Sequence, residues 1–114
     1  MSTQLNFGRD VQGFNAFAPE FGTNKWSATI VADADASITV PANYPNWIAV
    51  FSFQPGTNVW VANNTTATVP VGSTFDTTSS ELNPSARWVH AGDVLSFITD
   101  NVSADVGVSL YVKQ

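Results

Sequence analysis

Trp47-Ile48-Ala49-Val50-Phe51-Ser52-Phe53 decides the fold class. Read at period two, it sets Trp47, Ala49, Phe51 and Phe53 on one face and Ile48 and Val50 on the other. A strand apolar on both faces belongs inside a sheet, not at its edge. Pro41 and Pro45 precede it and Pro55-Gly56 follows, so turn chemistry bounds the run on both sides. Outward from this strand the same alternation recurs. Lys25 to Ala32 places Trp26, Ala28 and Ile30 together, Asp93 to Thr99 alternates Leu95 and Phe97 against Val94 and Ile98, and Val106 to Val112 aligns Val106, Val108, Leu110 and Val112. Shorter strands are expected at Ser37 to Val40, Asn58 to Ala62, Thr66 to Val69 and Ala86 to His90.

Composition agrees. Val, Ile, Thr and the aromatics make up 44 of 114 residues, against 15 for Leu, Met, Glu, Gln, Lys and Arg. Branched and aromatic side chains suit a pleated surface and lose rotamer freedom in a helix. The expected fold is all-β: an antiparallel β-sandwich or jelly roll of about eight short strands, with an up-and-down barrel as the alternative. One domain suits this length, and its core needs no staples. Cysteine is absent, which excludes a disulfide framework, a thiolate metal site and a Cys nucleophile. A net charge of −5 argues against nucleic acid and anionic lipid as main partners. Neither a secretory signal nor a run long enough to span a membrane is visible.

Residues 1–24 read differently from the sandwich of residues 25–114. Phe7, Phe14, Phe17 and Phe21 are interleaved with Gly8, Gly13, Pro19 and Gly22, which oppose a helix, and period-two alternation is absent. Disordered tails are poor in aromatics, so this extended N-terminal arm wants a surface to cover. It either caps its own sandwich or lies on another polypeptide. As an untethered tail it would reach roughly 80 Å. On the second reading Phe7, Arg9, Phe14, Phe17 and Phe21 carry the contact.

A second feature supports contact with other chains. From Ala36 through Phe75 there is no Asp, Glu, Lys or Arg. Strand edges in monomeric β-proteins are usually protected by charge, and only Pro and Asn are on hand here. Trp47, Phe51 and Phe53 fill a core, whereas Trp60 points away from Val59 and Val61, so one of those two faces is a candidate interface.

The candidate chemistry is sparse. His90, the only histidine, lies near Asp93, but no Gly-x-Ser-x-Gly elbow accompanies it. Asp33 and Asp35 share the first spacing of a calcium loop without its Gly or closing Glu. Asn63, Asn64 and Asn101 each open a glycosylation sequon and read as turn residues. Val89-His90-Ala91-Gly92-Asp93-Val94-Leu95 reads as strand, tight turn, strand. Glu20 and Glu81 are the only glutamates, leaving no Glu pair for sugar hydrolysis beyond those two, and no phosphate-binding loop exists. The expectation is a non-enzymatic protein with no metal or other cofactor.

The arm Asn6-Phe7-Gly8-Arg9-Asp10-Val11-Gln12-Gly13-Phe14-Asn15-Ala16-Phe17-Ala18-Pro19, the start of the body at Lys25-Trp26-Ser27-Ala28-Thr29, and Val40-Pro41-Ala42-Asn43-Tyr44-Pro45-Asn46-Trp47-Ile48-Ala49-Val50-Phe51 together give a layout. That layout resembles small tailed-bacteriophage virion proteins, in particular head decoration or cement proteins. The resemblance spans the chain as a matter of architecture. It implies a sandwich body, frequent homotrimers, an arm that staples neighbouring major capsid subunits, a place on the capsid surface of the virion, and assembly in the host cytoplasm. It implies no catalytic residues. Two other readings remain open: a carbohydrate-binding sandwich of a tail-associated adhesin, using Trp26, Tyr44, Trp60 or Trp88, and a neck or tail adaptor.

Overall fold

A computed structural model describes residues 3–4, 7–9, 12, 15–19, 21–70 and 79–113. The body is built from β3 (Asn24–Val31), β4 (Ala36–Thr39), β5 (Asn46–Phe53), β6 (Val59–Asn63), β7 (Glu81–Leu82), β8 (Ala86–His90), β9 (Val94–Thr99) and β10 (Ser103–Val112). They form two four-stranded antiparallel sheets, ordered β3-β10-β5-β8 and β4-β9-β6-β7. Successive strands alternate between the sheets except at β6–β7, and each sheet interleaves early with late strands. That order is an eight-stranded jelly roll.

Alternation explains the core. The inward rows are Ile30 on β3; Trp47, Ala49 and Phe51 on β5; Val59 and Val61 on β6; Leu95 and Phe97 on β9; and Ala104, Val106, Val108 and Leu110 on β10. Trp47 and Phe97 are fully buried. Trp47 Nε1 donates to the Tyr44 carbonyl at 3.0 Å, so its one polar atom is satisfied inside the core. Trp26 stacks on Phe97 with centroids 5.3 Å apart and ties β3 to the opposite sheet. The buried Thr99 hydroxyl donates to the Asn58 carbonyl at 2.6 Å and accepts from the Asn101 N–H at 3.1 Å.

The run at residues 47–53 lies inside its sheet as expected, flanked by β10 and β8. Thr66 to Val69 does not form a strand. It crosses the outer face of the β4-β9-β6-β7 sheet, where the Ala67 N–H donates to Ser96 Oγ at 3.0 Å and the Thr68 N–H to Ser80 Oγ at 3.1 Å. Among the described residues it has no ladder partner, and serine hydroxyls satisfy the Ala67 and Thr68 N–H groups instead. The two-residue β7 takes the edge beside β6.

The leading segment is not irregular throughout. β1 (Phe7–Arg9) and β2 (Asn15–Pro19) pair antiparallel, Phe7 opposite Pro19 and Arg9 opposite Asn15, with a register shift between them. Among the described residues, the extensive contacts of β1 and β2 are with each other.

Candidate interaction surface

The ribbon is tethered at both ends. Gln4 bridges Val112 in parallel, and the Val112 N–H donates to the Thr3 carbonyl at 2.7 Å. Twenty residues on, the Thr23 N–H donates to Thr3 Oγ1 at 3.1 Å, and the two hydroxyls lie 3.0 Å apart. Gly22 is buried against the Tyr111 ring, where an added Cβ would sit 3.4 Å from the ring carbons. The segment carrying β1 and β2 therefore leaves and rejoins the body at one point, beside the end of β10. Tethering cuts its greatest reach from the roughly 80 Å of an untethered tail to roughly 30 Å.

The outer face of the β3-β10-β5-β8 sheet at that end is apolar. Register places Trp88, Ile48 and Tyr111 side by side on adjacent strands, with Ala86 and Val50 in the next row outward along β8 and β5. Trp88 is 71% exposed, and the Lys113 ammonium lies 4.0 Å from its ring centroid. Tyr111 is buried beneath the ribbon's base. Farther from the ribbon the face turns small and polar. Ser27, Gly107 and Ser52 form one row, and a Cβ at Gly107 would stand 2.7 Å from Ser52 Oγ. Beyond them Thr29 Oγ1 donates to Asp105 at 2.6 Å.

The residues assigned to contact in the sequence fall as follows. Phe7 and Arg9 lie on β1 and Phe17 on β2, so the ribbon carries all three. Phe21, just inside the tether, is 95% exposed. Phe14 lies outside the described residues. Trp60 is elsewhere: it stands half-buried on the outer face of the other sheet, between Leu82 and Ile98, while Val59 and Val61 face the core. Trp26, a candidate for stacking on sugars, faces inward. What the sequence did not reveal is the tether, made by two threonines twenty positions apart, and the Trp88–Ile48–Tyr111 row, which comes from three strands far apart in the chain.

Four of the polar candidates, His90, Asp93, Asn63 and Asn64, meet in one turn cluster. Asp93 accepts from the His90 N–H at 2.9 Å and from the Asn64 amide at 3.1 Å, with the Asn63 amide at 3.4 Å. Burial pushes its carboxyl up, but these hydrogen bonds outweigh that and hold it below the ordinary range. Gly92 and Asn64 take positive φ in the same cluster. The His90 ring is 73% exposed, 3.7 Å from Asp93. Asn101 Oδ1 accepts from the Asn58 N–H at 2.9 Å. Among the described residues no group of three or more His, Asp or Glu could hold a metal ion.

At the β7–β8 flank, Arg87 forks onto Glu81, with Nε to Oε2 and Nη2 to Oε1 both at 2.9 Å. The hydrogen bonds from Arg87 hold the Glu81 carboxyl below its ordinary value and outweigh the opposing effect of burial. Behind the fork is a cavity of about 150 Å³ lined by Phe51, Val61, Val89 and Leu95 among others.

No family model matches this sequence, and neither a curated protein nor a solved structure matches it.

Proposed function

We propose that this protein is a non-enzymatic virion structural protein of the bacteriophage capsid decoration type, which fastens to the head shell by its leading ribbon. One observation carries the reading. The Phe-bearing ribbon is tethered at a single point, with Phe21 almost fully exposed, next to a sheet face that presents Trp88 and Ile48. A tether fixes the starting direction of a binding element and lowers the entropy lost when it docks. Burying one Phe is worth roughly 1.5–3 kcal/mol, so a few from each copy suffice for a weak contact. Many copies on one shell convert weak contacts into large avidity. The bacteriophage assignment rests on the resemblance of layout, and the major capsid protein is the partner it names.

The test removes residues 6–20 and joins the ends by a short flexible linker, leaving Thr3, Thr23 and Gly22 in place. The jelly roll should remain folded and lose at least about a hundredfold in affinity for purified heads, read by co-sedimentation. Unchanged binding would sink the ribbon reading. Particle images supply the second readout: copies spread over the head support decoration, whereas a ring of six or twelve indicates a neck or tail adaptor. Exposure of Trp88 favours one rival, a glycan-binding sandwich, and sugar-dependent quenching of Trp fluorescence would argue for it.

A further inference from the structure

The four edges of the two sheets differ. β4 has four residues and runs into Pro41, and β7 has two. β8 has five, carries Arg87 and His90, and follows Pro84. Each of these is blunted in a recognised way, by shortness, charge or proline. β3 is not. It is eight residues long, its register with β10 is unbroken from Asn24 to Val31, and no described strand pairs with its other side. From Trp26 to Val31 it holds no charge and no proline, and Val31 is 52% exposed. An edge of this kind presents a row of backbone donors and acceptors that only another extended strand can match.

Charge says which strand. Lys25 is exposed at the ribbon end of β3. Past the opposite end lie Asp33 and Asp35, both exposed, and Asp105 stands beside Thr29 on β10. Among the described residues none of Lys25, Asp33 or Asp35 forms an ion pair with a side chain of its own copy. Eight residues of strand separate Lys25 from Asp33 by roughly 26 Å, well beyond the distance at which exposed charges interact in physiological salt. A second β3 laid antiparallel on the first reverses the order: the ammonium of each copy meets the carboxylates of the other, twice across a twofold axis. A parallel partner would set like charges together. We propose that β3 is the self-association edge of this protein, pairing antiparallel with β3 of a second copy to make one continuous eight-stranded sheet across the dimer. This twofold contact differs from the threefold assembly that the resemblance implies. It also stands independently of the shell, because such a dimer forms in solution whether or not heads are present.

Sedimentation velocity on the full chain tests it, over two decades of concentration. The wild type should populate a dimer whose dissociation constant rises with salt. K25E should weaken the dimer by about tenfold or more, because each axis-related contact becomes repulsive. D33K combined with D35K, altered only at the other end, should weaken it similarly. Joining all three changes in one chain should restore dimerisation to near the wild-type level. All these positions are exposed, and unchanged circular dichroism confirms that each variant is folded. A wild type that stays monomeric, a trimer, or a dimer indifferent to both charge reversals overturns the proposal. So does hydrogen exchange along β3 that slows only when heads are added, which would assign the edge to the shell.

Discussion

The β7–β8 flank and the β3–β4 flank close the same two sheets in opposite ways. On the first, Arg87 and Glu81 reach from one sheet to the other and form a two-pronged ion pair at the mouth of a small cavity that they help to line. On the second no ion pair bridges the sheets among the described residues, and the sheets are joined inside by the stack of Trp26 on Phe97. One flank is finished with polar groups that water can reach. The other is finished with aromatic packing, and no described strand pairs with the outer side of β3. The difference teaches where each kind of interaction belongs. An exposed ion pair adds little stability but blocks strand pairing, whereas buried rings stabilise and protect nothing at the edge.

Removing the ring that joins the open flank should have the largest effect. Phe97→Ala deletes a fully buried side chain that contacts both Trp26 and Phe51, and should cost about 3–5 kcal/mol in urea unfolding. A loss below 1 kcal/mol would mean that the stack does not hold that flank. Next comes the turn at the ribbon end of the sandwich. Asp93→Ala strips the acceptor from the His90 N–H and both Asn amides, and should cost about 1.5–3 kcal/mol. Because its folded pKa lies below the ordinary carboxylate value, Asp93 contributes fully above pH ~4. That contribution is lost as pH falls through the depressed folded value. The variant's stability should therefore vary less with pH below ~4 than the wild type's, in parallel urea titrations.

Ser96→Ala should cost about 1–3 kcal/mol, since the buried Ala67 N–H loses its acceptor and the crossing segment its anchor. Faster amide exchange at Ala67 would accompany that loss. The smallest effect is expected at the closed flank. Glu81→Gln breaks the fork at a site where both side chains are about half exposed, and should change stability by less than about 1 kcal/mol. The Glu81 shift has the same sign as that of Asp93, so what the pair contributes is present at neutral pH and fades as acid protonates the carboxylate. Should Glu81→Gln destabilise as much as Phe97→Ala, the contrast between the flanks would fail.

Much of the body is legible in local pattern. Lys25 to Ala32 is realised as Asn24–Val31, and Asp93 to Thr99 as Val94–Thr99, because alternation of apolar and polar residues is a property of the strand itself. Thr66 to Val69 shows where that reasoning stops. Thr66, Thr68 and Val69 have strand-forming residue types, yet Ala67 is pinned to Ser96 across an outer face, and no described strand pairs with them. The β1–β2 ribbon is the reverse case, since it pairs without alternation. Of the proposed contact surface, the Phe-rich segment was visible from its composition. The tether between Thr3 and Thr23 was not, because two threonines twenty residues apart have no local signature.

What the chain alone determined is which side chains share a face. Trp47, Ala49 and Phe51 must point together, as must Val106, Val108 and Leu110, since consecutive residues of any strand project to opposite sides. Tertiary structure decided which strands became neighbours, and through that which strand was left at an edge. Pairing β3 with β10 joins residues more than seventy positions apart, and the backbone groups that make such ladders are the same at every residue. The edge position of β3, the fork at β8 and the row of Trp88, Ile48 and Tyr111 exist only once those long-range choices are made.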